Sequence, residues 1–212
     1  MKNGPLIVIG LFAGLTISWA GIVLGTNAQL GAQTPYYDDT DSLAYPQRTS
    51  GIAVQGQMVY TDLGCASCHT EQVRRPGFGS DQDRGWGDRQ SVARDYIFQP
   101  RPQLGSLRVG RDLANYGASK PDPAQLMRLL YVGSVTHPSF KFLFDNRQIV
   151  GQRSDYALDL EGSAAPRPGY EVVPTARARA LVAYLLSLNN SYAYPEARPA
   201  APEAKTSEPQ KK

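Results

Sequence analysis

The chain has 212 residues, of which 42% are hydrophobic and 19% charged, with a formal charge of +3 and two cysteines. So small a charge, with no basic run interleaved with aromatics, excludes a nucleic-acid partner. Two cysteines exclude a disulfide framework.

Residues 4–25 carry no charged side chain. As a helix at about 1.5 Å per residue they reach about 33 Å, enough to cross a bilayer. The apolar core is longer than that of a secretory signal, and the small-residue site around Asn27 to Ala32 is a poor cleavage signal, so residues 1–27 are expected to be an uncleaved transmembrane anchor. Lys2 precedes the span and Asp38, Asp39 and Asp41 follow it, which places the amino terminus in the cytoplasm by the positive-inside rule. Residues 28–48 show no sustained period and are expected to form an extended tether.

Thr49 or Ser50 can cap a helix through Ile52, Val54, Met58 and Val59 to Asp62, with Gly64 as its stop. It delivers Cys65-Ala66-Ser67-Cys68-His69, the C-x-x-C-H signature of a covalent c-type haem. Cysteines three apart share one face of a helical turn and can form thioethers with two vinyl groups, while the next residue presents an imidazole to the iron. A redox dithiol would follow a strand, and zinc would lack ligands to complete its set. Attachment of haem by thioethers is an envelope-side process in bacteria, which agrees with the orientation of the anchor.

Residues 76–90 form an irregular, glycine-rich loop. Asp81, Asp83 and Gly85 suggest part of a calcium loop, but no acidic residue stands at the position of its last ligand. Eight arginines fall between Arg74 and Arg111. One or two of them suit haem propionates, because guanidinium binds carboxylates bidentately, and the others form a lightly basic surface. Ser91 is placed to cap a short helix through Tyr96 and Phe98. Asp122 before Pro123 starts a helix bearing Leu126, Leu129 and Leu130 and ending at Gly133. Thr175 starts the last helix, with Leu181, Tyr184, Leu185 and Leu188 as its apolar stripe. Residues 191–212, rich in proline, alanine and charge, are expected to be disordered.

The fold expected is mainly α: one amino-terminal transmembrane helix, then a single cytochrome c-like helical haem domain over residues 49–190. Gly56 and Tyr60 in its first helix and Tyr184 in its last suit a close helix crossing. For the sixth iron ligand the choice lies between methionine and histidine. Met1 is on the far side of the anchor, Met58 lies in the helix presenting the motif, and Met127 sits beside leucines as core filler does. His137, directly before Pro138, is held extended in a loop able to reach a haem face. On the residues alone His137, a methionine and an open position all remain.

The stretches GQMVYTDLGCASCHTEQVR (56–74), GSLRVGRDLANYG (105–117), LLY (129–131), HPSFKFLF (137–144) and LVAYLLSL (181–188), with the anchor, resemble the monohaem membrane-anchored subunit of cbb3-type cytochrome c oxidases, the FixO-like subunit. That resemblance implies one covalent haem c on Cys65 and Cys68 with His69 as an axial ligand, and the alignment of HPSFKFLF with the family's ligand loop points to His137 as the other; Arg74, Arg108, Gly110, Leu113 and Phe140 are candidates for the haem pocket or its propionates. It also implies a protein that is not an enzyme by itself. It would pass electrons from a donor cytochrome to a haem-copper catalytic subunit, among other membrane subunits, at the bacterial inner membrane with its haem domain periplasmic.

Two departures from the family stand out. Arg111 replaces a proline whose carbonyl accepts a bond from the proximal histidine, and His137-Pro138 replaces methionine-proline in the ligand loop, with the stretch after Tyr131 shortened. Other readings are the haem subunit of another membrane complex, such as a nitric oxide reductase, a haem-based sensor with a labile ligand, and a structural subunit with a vestigial motif.

Overall fold

A computed structural model describes residues 3–197. They fall into two compact units, 3–47 with 92–100 and 48–91 with 101–197. Lys2, used above to orient the anchor, and residues 198–212 of the expected tail lie outside the described residues.

The first unit opens with one uninterrupted helical stretch, Gly4–Leu30, of 27 residues: α1 (Gly4–Trp19), a π turn (Ala20–Leu24) and α2 (Gly25–Leu30). At about 1.5 Å per residue it is about 40 Å long, more than a bilayer's hydrocarbon thickness. Its large side chains, Leu6, Ile9, Phe12 and Ile17 among them, are all exposed. The Thr16 hydroxyl donates to the Phe12 carbonyl at 2.9 Å and that of Thr26 to Ile22, so both polar groups are satisfied within the helix.

The segment expected as an extended tether instead carries the remainder of this helix and a hairpin. Strands β1 (Tyr36–Asp38) and β2 (Leu43–Tyr45) are antiparallel, with Tyr36 opposite Tyr45. Asp38 closes the turn by accepting from the Thr40 amide at 2.9 Å. Residues 92–100, expected inside the haem domain, group with this unit, and the Arg94 guanidinium donates to the Thr34 carbonyl. The short helix expected there is one 3-10 turn, Ala93–Tyr96. Asp95 accepts from the Val92 amide at 2.8 Å, so Asp95, not Ser91, serves as the cap.

In the second unit α3 (Gly51–Asp62) crosses α5 (Ala176–Ser187). A Cβ at Gly56 would stand 2.6 Å from Tyr184 Cβ and closer still to the Ala180 carbonyl oxygen. Only glycine admits this approach. Tyr60 meets Tyr184 edge to face, ring centres 5.4 Å apart. α4 (Pro123–Val132) begins where Asp122 accepts from the Ala124 amide at 2.9 Å and ends at Gly133, φ +75°. It buries Leu126 and Leu130 in the core with Leu113, Leu143, Val172, Leu181 and Leu185.

Two antiparallel strands, β3 (Phe144–Gln148) and β4 (Tyr170–Pro174), join the helices. The unit is therefore helical with one small sheet, which the sequence pattern does not announce. Residues 191–197, expected to be disordered, are packed. Tyr194 is 1% exposed, and Arg89, itself buried, donates to the Tyr192 carbonyl at 2.6 Å with its guanidinium 4.6 Å from the Tyr194 ring centre. A composition typical of loose tails is here overridden by two aromatics and a buried arginine.

Candidate functional site

Gly64, at φ +70°, turns the chain out of α3 into a single 3-10 turn, Cys65–Ser67. The Cys65 carbonyl closes it, accepting from the amides of Cys68 at 3.1 Å and His69 at 3.0 Å. Cys65 is half-buried and Cys68 is exposed, and the two are not joined in a disulfide. Among the described residues no group of three or more His, Cys, Asp or Glu side chains is placed to hold a bare metal ion.

The His69 ring is fixed from one side by the 105–113 segment. Its Nδ1 lies 2.8 Å from the Arg111 carbonyl, so the arginine backbone makes the bond that the resemblance assigns to proline. With Nδ1–H donating, Nε2 keeps its lone pair. A Cβ at Gly110 would lie 2.7 Å from His69 Nδ1 and 2.8 Å from Nε2; the missing side chain is what lets the segment pass the ring. Asp112, 1% exposed, ties the same segment down by accepting from the Thr70 hydroxyl at 2.5 Å and the Gln72 amide at 2.8 Å.

Opposite His69 stands His137. The ring centres are 6.3 Å apart with planes at 51°. His137 Nδ1 lies 2.9 Å from the Pro138 carbonyl, which leaves its Nε2 available in the same way. Two metal–nitrogen bonds of about 2 Å, with about 1 Å from each nitrogen to its ring centre, sum to roughly 6 Å. The spacing thus fits a single iron between two imidazoles, and two thiols in the turn before His69 complete the donor set of a haem c. Burial, ahead of the opposing pull of the Pro138 carbonyl, lowers the His137 pKa, which favours the neutral, ligating ring.

Apolar surface surrounds the pair. Phe140 lies 5.9 Å from the His137 ring and 6.0 Å from Phe142, which is 69% exposed, and Val109, next to Gly110, is 73% exposed. Such surface suits a flat hydrophobic ring. Met58 is exposed on α3 and Met127 packs against the core.

The other residues expected at the pocket divide. Gly110 and Phe140 are at the two histidines, while Leu113 is a core side chain whose amide donates to the Thr70 carbonyl at 2.7 Å. Arg74 is exposed, and its amide donates to Asp81 at 2.7 Å. Arg108, expected beside a propionate, is instead ion-paired with buried Asp81, lies 3.6 Å from Asp112 and donates to the Gln72 carbonyl at 2.5 Å. Asp81 is thereby turned inward, away from any calcium loop.

Beneath the motif Glu71, 2% exposed, accepts from the Tyr184 hydroxyl at 2.7 and 2.8 Å. Burial pushes its carboxyl up to about 8 and raises the Tyr184 hydroxyl as well. Sequence reasoning missed Asp112 and Ser134. Each had a signal in its spacing: Asp112 adjoins the residue whose carbonyl holds His69, and Ser134 stands three before His137.

An exposed apolar amino-terminal helix, with a helical domain that sets one Cys-x-x-Cys-His turn against a second histidine, defines the class of membrane-anchored single-haem cytochromes. A family model agrees over residues 16–161. The chain belongs to that family, FixO, the mono-haem subunit of cytochrome c oxidase, and is thus an electron-transfer subunit of a cbb3-type oxidase complex. A comparison with curated proteins finds no match.

Proposed function

We propose that the chain binds one haem through thioethers from Cys65 and Cys68, with His69 and His137 as axial ligands. Through it the chain relays electrons from a donor cytochrome to the haem-copper subunit of an oxygen-reducing terminal oxidase. When bound, the haem iron supplies a one-electron couple. The carbonyls of Arg111 and Pro138 favour a proton on Nδ1 of each histidine and so leave the Nε2 lone pairs for the iron. With His69 and His137 both holding the iron, oxygen and other small ligands would have no open site. That supports a relay over a catalyst or a sensor, and the family supports an oxidase over a nitric oxide reductase. A second imidazole in place of methionine also favours a lower potential than the methionine-ligated form.

The 27-residue uncharged helix, with Lys2 before it in the sequence, supports a single-pass protein of the bacterial inner membrane, amino terminus cytoplasmic and haem domain periplasmic. The observation that carries the reading is the 6.3 Å separation of the two histidine rings. Its test is the intact mass of the native chain. One haem is expected in excess of the polypeptide and is lost when Cys65 and Cys68 are both changed to serine. A colourless protein of bare polypeptide mass would refute it.

A further inference from the structure

His137 sits in a turn that is tied down in an unusual degree for an exposed segment. Three bonds fasten the turn to the end of α4: the Gly133 amide to the Leu129 carbonyl at 2.8 Å, the Phe140 amide to Leu130 at 2.7 Å, and the Ser139 hydroxyl to Tyr131 at 2.7 Å. Gly133, at φ +75°, has no room for a side chain, since a Cβ would stand 2.9 Å from the His137 carbonyl oxygen and 3.0 Å from the Ser139 amide. These bonds position the backbone on either side of the histidine. Within the turn the work falls to Ser134. Its amide donates to the His137 carbonyl at 2.8 Å, and its hydroxyl oxygen accepts from the His137 amide at 3.1 Å and the Thr136 amide at 3.3 Å.

We propose, building on His137 as the sixth ligand, that Ser134 is a positioning residue for that ligand, and that its hydroxyl keeps the imidazole from swinging away from His69. Three features support this. The His137 amide donates to the Ser134 hydroxyl oxygen at 3.1 Å and to the Ser134 carbonyl at 3.3 Å, so the hydroxyl makes the shorter of the two bonds that set the direction in which Cα presents the ring. The ring itself is steered by the Pro138 carbonyl and by Phe140, both in the same turn, so a shift of the backbone carries the imidazole with it. Finally, the tip beside Ser134 is fully exposed at Val135, whereas Phe140, on the other side of His137 in the chain, packs against the core. Ser134 lies at the surface, so its hydroxyl can be removed without opening the core.

The test uses the full-length haem-loaded protein in detergent and follows carbon monoxide binding to the reduced form, with electron paramagnetic resonance of the oxidised form beside it. Ser134→Ala removes one hydrogen-bond acceptor, and the rate of carbon monoxide uptake is expected to rise roughly 3- to 10-fold over the native protein, the factor that one such bond supplies. Ser134→Thr, which restores the hydroxyl, should return the native rate. Thermal unfolding of both variants should stay near native. A native uptake rate and native g-values in Ser134→Ala would overturn the positioning role. His137→Ala separates this from the assignment beneath it: conversion to high spin retains His137 as ligand whatever Ser134 does, whereas an unchanged low-spin spectrum removes the ligand and the inference with it.

Discussion

Gly110 is the residue on which the orientation of His69 depends most directly. Any β carbon there would occupy the space of the imidazole, 2.7 Å from Nδ1, and the ring could escape only by breaking its bond to the Arg111 carbonyl. Gly110→Ala is therefore expected to change the g-values of the oxidised haem protein while far-ultraviolet circular dichroism stays native. Arg111 shows why a backbone contact survives a change of side chain: the carbonyl is common to all residues, and Asp112, bonded to Thr70 and Gln72, holds the segment that proline would otherwise stiffen. Arg108 shows the opposite limit of residue-level reading. An arginine near a haem motif suits a propionate on chemical grounds, yet Asp81 and Asp112 were available nearer by, and nothing in the spacing of residues 27 apart announces that pair.

Among the elements, the crossing of α3 and α5 admits a direct test. Gly56→Ala drives a methyl group against the Ala180 carbonyl and the Tyr184 side chain. Backbone cannot yield as a side-chain tip can, so a loss of about 1–3 kcal/mol is expected, seen as a lower Tm. The β3–β4 sheet carries a pH dependence. Glu171, 3% exposed, accepts from the Ser154 hydroxyl at 2.6 Å, the Ser154 amide at 2.7 Å and Arg147 at 2.9 Å. The Ser154 bonds, ahead of the arginine, hold its carboxyl down at about 2.

An unfolded glutamate titrates near 4.3. The folded state therefore binds fewer protons in between, and the stabilisation is complete above about pH 4.3 and lost as pH falls through about 2. Glu171→Gln should flatten the decline of Tm across that window, measured by circular dichroism.

The helices were legible because each carries its own punctuation: Gly64 past α3, Asp122 and Pro123 before α4, Thr175 before α5. This sheet was not, because β3 is exposed after Phe144 and β4 is buried throughout its last four residues. Neither strand alternates, and their pairing spans more than twenty residues.

At the scale of the whole molecule, the haem turn and the apolar helix were the parts most readable from the sequence, since each is defined by a local run of residues. The return of residues 191–197 onto the domain was hidden, because the partner of Tyr192 and Tyr194 is Arg89, a hundred positions away. Division into units was hidden for the same reason: the Arg94 bond to Thr34 joins distant segments.

The helix Gly4–Leu30 has one further consequence. With its bulky side chains exposed along its length and no charge among them, the helix suits a lipid medium, which would confine the chain to a surface. Collisions with other residents of that surface then scale with crowding per unit area rather than with volume, and a shared sheet raises the effective concentration of neighbours without a single added contact.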